Sequence, residues 1–595
     1  MSDSTYPSLT QHAMLVAWGQ YAQCLDLIAG LEAVSLRQKT IKHSPQTKVI
    51  EFLVAILGGL PHLKDLSRAA HPLVRDQEVA KAWKQPAWAD HSGVSRTLSG
   101  LSRDEVRQIV EVLTTICQPI IDREVVLAWR DRDEIVVDCD LTGRPVSNSS
   151  TTYPGVAFGH MGDGVHLGYQ AALVSFHSPT YGRIWLSVTP HPGDTVACTL
   201  AEELVLATEA KLGRSPWRRT DLLQQRLDVL ARQRICFAQR MRRAHRTLQE
   251  TQERRQETQD QIEHWQAQVQ AYEAQYEAQG RPERPHSRLA QARRKLQVRQ
   301  DRLPRQDQAL ARAERRLDRC LTKLAACQAE IGQVRARLER FERENAANPA
   351  PLRIVLRLDA GFGTPDNVAL LIEMGYEVYS KPYGRWDLTK ELKKRVDEQT
   401  EWTRVGKNAE MVAWPACSVK RVPYPLDLAL ERFYTGQTRR HSVLLHSGAE
   451  PVTDSLPEWF GRYNGRQTIE AGIKQGKQVF QMHHLKVRSK EALYLQEQLA
   501  VFAANFVRWA AHWLATQCPQ LPDGWQEPEK IPVKEQVQVA AHTSAWVTWN
   551  EQGCLLTFTD HSVFAGRSLQ INREWTYQRV LPFTKSCVFS TIRAP

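Results

Sequence analysis

An apolar repeat with alternating steps of three and four residues runs from Leu223 to Phe341, with one interruption. Such a repeat places apolar side chains along one stripe of an α-helix, which is the seam of a coiled coil. The interruption contains Gly280, Pro282 and Pro285 and separates two arms of matched length. A turn between equal arms predicts an antiparallel coiled-coil hairpin, about 80 Å long at 1.5 Å per residue.

The charge of this segment is also unusual. The chain has a formal net charge of +12, and most of the excess falls within the predicted hairpin, nearly all of it as arginine. Arg234, Arg255 and Arg299 occupy seam positions, which indicates a strained or partner-facing stretch, and Pro304 should kink or loosen the second arm. Two interpretations stay open: an ordinary solvated coiled-coil surface, or an arm that binds DNA phosphates or a second subunit.

The segments on either side of the hairpin have the composition of an α/β sheet. Three strands, a helix, a strand, a helix and a strand form a sheet of mixed direction, in the order of a ribonuclease-H-like core. The predicted fold class is therefore α/β: a ribonuclease-H-like core interrupted by a long antiparallel coiled-coil hairpin. The predicted elements are strands at 134–140, 165–176 and 183–188, a helix at about 195–213, a strand at 352–359, a helix from Thr364 and a strand at 376–380.

The remaining segments complete a predicted division of the 595-residue chain. The N-terminal residues have helical periodicity and a capping-box signal at Ser102, so a helical domain that binds DNA is one interpretation and plain helical packing is the other. The C-terminal end has the composition of β-hairpins. The division is a helical domain at 1–125, core segments at 126–215, 349–385 and 456–518, the coiled coil at 216–348, a short mixed insertion at 386–455 and a small β-rich unit at 519–595.

Three aspartates lie where an α/β sheet places a site. Asp138 and Asp140 alternate along the first predicted strand, so both side chains share one face of it. Asp359 ends a later strand, and sites in open α/β sheets lie at the carboxyl ends of strands. The alternatives are a strand end that emerges into solvent for the first pair and an aspartate that caps a turn for Asp359.

A fourth carboxylate, Glu470, lies among cations. Spacings of three, four and seven place the members of this set on one helix face. Glycines at 465, 472 and 476 are unfavourable in a helix and indicate the close approach of another backbone. The alternative is an ordinary solvated face. The set consists of Tyr463, Arg466, Glu470, Lys474 and Lys477.

These residues suit phosphodiester chemistry. Carboxylates can hold two divalent ions, Mg²⁺ or Mn²⁺, one to activate water or a 3′-hydroxyl and one to stabilise the leaving oxygen. Phosphoryl transfer needs positioning and charge neutralisation more than a nucleophilic side chain. The positive net charge favours a polyanionic partner, and nucleic acid is the usual one.

At this point the chain resembles a known family, the cut-and-paste DDE transposases of bacterial insertion sequences. Its last motif is similar to the Tyr-Arg-Glu-Lys signature of that family, and two upstream segments are similar to the family's two aspartate segments. The long hairpin is not part of the family's common pattern. The resemblance rests on Tyr463-x2-Arg466-x3-Glu470-x6-Lys477, on Asp140-Leu-Thr142 and on Arg357-Leu-Asp359-Ala-Gly-Phe362.

The resemblance implies double-stranded DNA as the partner, both as element ends with inverted repeats and as target, and a homodimer that pairs the ends. It implies strand cleavage and transfer at a metal-binding triad of Asp140, Asp359 and Glu470, with two Mg²⁺ or Mn²⁺ ions. Asp138 is a further candidate ligand. The residues expected to contact DNA phosphates are Tyr463, Arg466, Lys474 and Lys477.

Two other functions fit the same residues. One is a related nuclease, or a domesticated transposase that lacks strand transfer. The other is a non-catalytic coiled-coil protein that bridges DNA and keeps a vestigial acidic core. The eleven scattered cysteines, the polar start and the lack of an apolar run of ~18 residues lead us to expect a cytoplasmic protein that is not associated with a membrane. The resemblance implies that it is bacterial and associated with the nucleoid.

Overall fold

The structure is a computed structural model of the whole chain. It describes residues 6–572, apart from residues 39–41, 163, 483, 485–486, 518–520, 522–524, 529–530, 552 and 563. The chain is a mixed α/β protein with a mixed sheet and long helices, as the sequence predicts at that level. It divides into two compact units, one made of residues 218–347 and one made of the residues before and after that segment. Among the described helices, none is both long and apolar enough to cross a membrane.

The N-terminal part is helical after one short strand. The capping box predicted at Ser102 is present, because the Ser102 hydroxyl accepts from the backbone of Glu105 and the Glu105 carboxylate accepts from the backbone of Ser102. The helix that it starts continues past residue 125 to Arg132. The elements are β1 (Ser8–Thr10), α1 (Ala13–Cys24), α2 (Leu27–Glu32), α3 (Pro45–Leu57), α4 (Asp65–Arg68), α5 (Gln77–Ala82), α6 (His91–Ser99) and α7 (Arg103–Arg132).

The first strands of the core sheet follow α7. Strand β2 is almost entirely buried, which is typical of a central strand covered on both faces. Strand β4 lies antiparallel to β2 along nine residue pairs, from Val137 opposite Phe176 to Pro145 opposite Gly168. The elements are β2 (Ile135–Pro145), β3 (Ala157–Met161), β4 (Gly164–Phe176), β5 (Ile184–Pro192) and α8 (Ala201–Leu212).

The unit at 218–347 consists of α9 (Thr220–Ala278), α10 (Arg288–Gln300) and α11 (Leu303–Ala347). Helices α9 and α11 run antiparallel, because Arg226 pairs with Glu330 at 2.8 Å and Arg255 pairs with Asp307 at 2.5 Å. The second arm is interrupted between Gln300 and Leu303, just before Pro304, because a proline is best tolerated in the first turn of a helix. The unit holds 29 Lys or Arg and 18 Asp or Glu, a net charge of +11 out of +12 for the chain.

The chain then returns to the core sheet and ends in a second, smaller sheet. The elements are β6 (Ile354–Arg357), α12 (Pro365–Glu373), β7 (Glu377–Ser380), α13 (Leu388–Lys393), β8 (Thr403–Arg404), β9 (Ala409–Cys417), β10 (Leu426–Thr435), β11 (Thr438–Ser447), α14 (Leu456–Asn464), α15 (Gln467–Val479), α16 (Lys490–Gln517), α17 (Val533–Gln538), β12 (Ala545–Asn550), β13 (Gly553–Phe558) and β14 (Ser568–Asn572).

The core sheet has the strand order β3-β4-β2-β6-β7-β11-β10-β9-β8, and β5 also pairs with β4. Strands β2, β6 and β7 are parallel to one another, and the other pairings are antiparallel. The segment predicted as a short mixed insertion at 386–455 extends this sheet, because β11 pairs with β7. Strand β10 was not predicted, because the buried run Leu426–Glu431 shows no alternation of apolar and polar residues.

The smaller sheet has the order β1-β12-β13-β14. Its edge strand comes from the N-terminus, since Ser8–Thr10 pairs with Ala545–Val547. The β-rich unit predicted at 519–595 is therefore completed by residues from the opposite end of the chain. The part of that prediction beyond residue 572 lies outside the described residues.

Deletion of 218–347 is expected to leave the larger unit folded. Within that unit the flanking segments already meet, since the Leu352 amide donates to the Ser215 carbonyl at 3.1 Å and the Asn348 side chain donates to the same oxygen at 3.0 Å. A short Gly/Ser linker can then join Trp217 to Asn348. We expect far-ultraviolet circular dichroism to retain a single cooperative thermal transition.

The matched control is deletion of 386–455, which removes four strands from the core sheet. That variant should lose the cooperative transition, because it leaves the ladder of β7 unpaired on one side. Equal loss of structure in both variants would contradict the independence of the larger unit.

Candidate active site

Asp140 and Asp359 lie at the same edge of the core sheet. Strands β2 and β6 are parallel, with Asp138 opposite Arg357 at the end of their ladder. Asp140 lies two residues beyond that pair on β2, and Asp359 lies two residues beyond it after β6. Because the carboxyl ends of parallel strands meet at one edge, the two carboxylates are neighbours, and Asp359 is close enough to raise the pKa of Asp140.

Glu470 reaches the same place from α15, and Arg466 connects the acids. The Arg466 guanidinium lies 3.4 Å from Asp140 Oδ2 and 3.1 Å from Glu470 Oε1. Burial disfavours its charge, but Asp140, Asp359 and Glu470 together raise the pKa of Arg466. The Arg466 guanidinium therefore contacts Asp140 and Glu470 and is attracted by Asp359, the third carboxylate of the predicted triad.

The ionised form of Asp140 is disfavoured by its surroundings. Burial is the largest cause, and repulsion from Asp359 and Glu470 adds to it, so the pKa of Asp140 rises to about 6 despite the attraction of Arg466. The Asp140 side chain is 13% exposed, whereas that of Glu470 is 59% exposed. A buried carboxylate that repels its neighbours is a group that a cation would stabilise.

A pocket of about 380 Å³ opens beside Asp140 and Glu470. Two lysines lie on the helix that forms one wall, and burial followed by the nearby Arg144 lowers the pKa of Lys477. A surface that combines carboxylates with lysines can bind a metal and a phosphate together. The pocket is lined by Asp140, Leu141, Thr142, Glu470, Ile473, Lys474, Lys477 and Gln478.

Asp138 is not available as a metal ligand in this arrangement. Its two oxygens accept from Arg357 Nε and Nη2 at 2.7 and 2.8 Å, and Oδ2 also lies 2.8 Å from His177 Nε2. Burial opposes ionisation, but the His177 hydrogen bond and the Arg357 ion pair lower the pKa of Asp138 to about 2. Of the two aspartates on β2, only Asp140 faces the pocket.

Sequence reasoning missed the partners of Asp138. The sequence pattern alone does not connect Arg357, Arg183 or His177 with Asp138. Arg183 lies 3.2 Å from Asp138 and also donates to Thr468 on α15. A signal existed, because a basic residue in an apolar strand needs a buried acid as its partner, although the register that supplies it is visible only in the folded sheet.

The segment at 463–477, which carries the family motif, spans the end of α14 and most of α15, with two residues between the helices. Gly465 and Arg466 separate α14 from α15 but keep right-handed helical angles, and the Arg466 amide donates to the carbonyl of Tyr463 at 3.0 Å. Arg466 and Glu470 remain one turn apart and in contact. Tyr463 is buried in an apolar cluster with Tyr379 and Trp459, so its ring is not on the open surface, and burial raises its pKa to about 12.

The glycines of this stretch face side chains, not another backbone as the sequence suggested. A Cβ on Gly465 would collide with Arg357 Nη1, and a Cβ on Gly472 would lie 2.9 Å from the ring of Trp185. Asn505 fixes Trp185 by bonding its backbone amide and carbonyl, each at 2.9 Å. The glycines therefore let the Asp138 cluster and β5 pack directly against the helices that carry Arg466 and Glu470.

The donor set fits a divalent cation by its chemistry but not by its present arrangement. Carboxylate oxygens are the ligands that Mg²⁺ and Mn²⁺ prefer. Within the described part of the chain, however, no three His, Cys, Asp or Glu side chains are grouped closely enough to hold a metal as they stand. Arg466 lies among the acids, so a cation could be held only if the guanidinium moved away.

Comparison with known proteins does not assign this site. The sequence matches no protein-family model, and no curated protein matches it. What the site does is therefore inferred from its residues and from the motif resemblance described above.

Asn substitutions at the two aspartates of β2 are expected to change stability in opposite directions. Asp138→Asn leaves two buried arginines without their counter-charge and should lower the free energy of unfolding by about 3–5 kcal/mol. Asp140→Asn removes a buried charge that neighbouring carboxylates repel. It should raise the free energy of unfolding by up to about 3 kcal/mol. Urea unfolding at pH 7.5 in EDTA measures both values.

The pH windows of the two effects differ. The low pKa of Asp138 stabilises the protein above about pH 4, and this contribution disappears as the pH falls towards 2. The raised pKa of Asp140 destabilises the protein as the pH rises through about 6, so Asp140→Asn should match the wild type below pH 4. A loss of stability in both variants at pH 7.5 would contradict the assignment of opposite electrostatic states.

Proposed function

We propose that the protein is a DDE transposase that cleaves the ends of its own DNA element and joins them to target DNA. The observation that carries the proposal is the convergence of Asp140, Asp359 and Glu470 around Arg466, beside a pocket lined by Lys474 and Lys477. The family resemblance assigns Asp140, Asp359 and Glu470 to catalysis and Arg466 and Lys477 to DNA contact, and the spacing on α15 adds Lys474. They come from three separate segments of the chain, so their meeting is not a consequence of sequence proximity.

The strand order supports a ribonuclease-H-like core. The five strands β5-β4-β2-β6-β7 have the sequence order 3-2-1-4-5, with the second antiparallel to the first and the other three parallel to it. In such a core the acids lie on the central strand, after its parallel neighbour and on a later helix. The unit at 218–347, entered after α8, is proposed to be the antiparallel coiled-coil hairpin that the heptads predict.

The residues of the site have distinct roles under this proposal. Asp140, Asp359 and Glu470 would hold two Mg²⁺ or Mn²⁺ ions, which supply activation of the attacking oxygen and stabilisation of the leaving oxygen. Lys474 and Lys477 would neutralise the phosphates next to the scissile bond. Arg466 would leave the carboxylates and donate to a DNA phosphate, and the Tyr463 hydroxyl beside it would orient the guanidinium.

The same proposal covers the partners. Double-stranded DNA would bind as element ends and as target, and two copies of the chain would pair the ends in the bacterial cytoplasm. The position of Arg466 among the acids also favours a second candidate, a DNA-bridging protein without catalysis, because a built-in cation removes the need for metal. The two functions differ in whether any DNA strand is cut.

Wild-type protein incubated with its own element ends and Mg²⁺ is expected to nick them. Asp359→Ala and Glu470→Gln should each reduce the nicking rate by at least 10³-fold, because two-metal phosphoryl transfer depends on every ligand. A denaturing gel with end-labelled duplex measures the rate.

The matched control is Glu458→Gln, which removes an exposed carboxylate from α14 outside the pocket. It should nick at the wild-type rate. Wild-type activity in the triad variants would refute the triad, and metal-independent DNA binding without any cleavage would favour the bridging protein.

Replacing Arg466 is expected to strengthen metal binding. Arg466→Ala removes a cation that competes for Asp140 and Glu470, so Mn²⁺ should bind about tenfold more tightly, a difference of about 1.4 kcal/mol. Isothermal titration calorimetry in the absence of DNA gives the affinity, and the nicking rate should fall in the same variant.

Arg432→Ala is the control, since Arg432 pairs with Glu410 on β9 and not with the triad. Its Mn²⁺ affinity should equal that of the wild type. Unchanged or weaker Mn²⁺ binding by Arg466→Ala would show that the guanidinium does not occupy the position of the metal.

A further inference from the structure

Between Arg305 and Lys323, the charged side chains of α11 are segregated between its two flanks. On one flank the cations follow helical spacing, and on the other lie Asp307, Glu314 and Asp318. Steps of seven, four, three and four keep the cations on a single flank of the seam formed by Ala313, Leu317 and the residues that continue it. The cations are Arg305, Arg312, Arg316, Arg319 and Lys323.

Helix α9 adds two arginines to the same side. Arg240 directly precedes the seam residue Met241, as Arg316 directly precedes Leu317, and in an antiparallel pair such positions face the same side of both helices. Contacts from Leu230 to Cys327 and from Arg255 to Asp307 bracket the stretch, so Arg240 and Arg243 lie opposite about residues 316–319. We call these seven residues of α9 and α11 the basic face.

The cations of the basic face are not neutralised by ion pairs within the described part of the chain. All seven side chains are exposed, and none of them forms an ion pair with a described residue. Elsewhere on the same helices arginines are paired, as in Arg226 with Glu330 and Arg293 with Glu273. An ordinary solvated helix places acids four residues from its bases. Here Asp307 and Glu314 lie on the other flank of α11, Asp318 lines a surface pocket with Arg312 and Arg319, and Glu250 of α9, seven residues after Arg243, is on the same side as the basic face. The bases still outnumber the acids beside them, so they repel one another.

We propose that the basic face binds the phosphate backbone of double-stranded DNA without reading its bases. Arginine suits this partner because its planar guanidinium binds phosphate through two hydrogen bonds. The span from Arg305 to Lys323 is about 27 Å, the length of about eight base pairs at 3.4 Å each. A straight row of cations matches a linear polyanion of that length.

The composition of the face argues against a protein partner. Protein interfaces have an apolar core with few charges at their centre, whereas this flank carries only Ala309 between Arg305 and Arg312. The inference deepens the proposed function by assigning a second DNA contact to the helical unit. It does not depend on the acidic site, so its test needs no metal and no cleavage.

The test compares two full-length variants that lose the same charge. The first changes the five cations of α11 to Gln: Arg305, Arg312, Arg316, Arg319 and Lys323. The second changes five exposed arginines that lie off the basic face on the same helices: Arg232, Arg242, Arg246, Arg315 and Arg335. Binding to a 20-base-pair duplex of random sequence is measured in EDTA by fluorescence anisotropy, from 50 to 300 mM NaCl.

The first variant should bind at least tenfold more weakly at 100 mM NaCl. Its slope of log affinity against log salt should fall by about 3–4, because each lost phosphate contact removes about 0.9. The second variant should change the affinity less than threefold. A variant with Arg305, Arg312, Arg316 and Arg319 changed to Lys, which keeps the charge, should retain most of the salt slope.

Equal losses in the two Gln variants would overturn the proposal, since net charge and not the face would then set the affinity. Tighter face-dependent binding to single-stranded RNA than to the duplex would overturn the choice of partner. Circular dichroism of each variant verifies that the helices persist. A protein that never nicks DNA but loses binding only in the first variant would refute the transposase and leave this inference standing.

Discussion

The ion pair between Asp138 and Arg357 is the interaction on which the candidate site depends. It joins the parallel strands β2 and β6 where their ladder ends, which sets Asp140 and Asp359 side by side. The same Arg357 donates to the carbonyl of Arg462 at the end of α14. Arg183, bound to Asp138 as well, holds Thr468 on α15. One buried carboxylate thereby positions both strands and both helices that carry the site.

Two aspartates on one strand have opposite tasks. Asp138 accepts hydrogen bonds from several donors, which stabilise its charge and fix its position. The charged form of Asp140 is disfavoured by burial and by the neighbouring carboxylates, which raise its pKa. Proteins commonly keep such destabilising groups where function requires them. The ion pairs of Asp138 hold the strands in register, and this allows Asp140 to remain unfavourably placed. If Asp138 also lacked a cationic partner, the register would not be fixed.

Features that depend on local sequence patterns could be predicted, whereas features that depend on contacts between distant segments could not. The strands around Asp140 and Asp359, the long helices and the acids were predicted because periodicity and motif spacing are local. The partners of Asp138, the pairing of β1 with β12 and the burial of Tyr463 depend on residues that the fold brings together from separate segments, in the case of Arg357 from 219 positions away. The ribonuclease-H-like core and the coiled coil stay proposals that rest on strand order and heptads.

The segments that flank the 218–347 unit meet through the hydrogen bond from the Leu352 amide to the Ser215 carbonyl. This arrangement has a consequence for the order in which the chain folds. Asp138 and Arg357 are 219 positions apart, a separation that makes strand pairing slow when the intervening chain is random. Helices α9 and α11 can form and pair through contacts that are local in the sequence. Their pairing shortens the effective loop between Asp138 and Arg357 to a fraction of its length. We therefore expect the segment that interrupts the sheet to speed the pairing of its two halves.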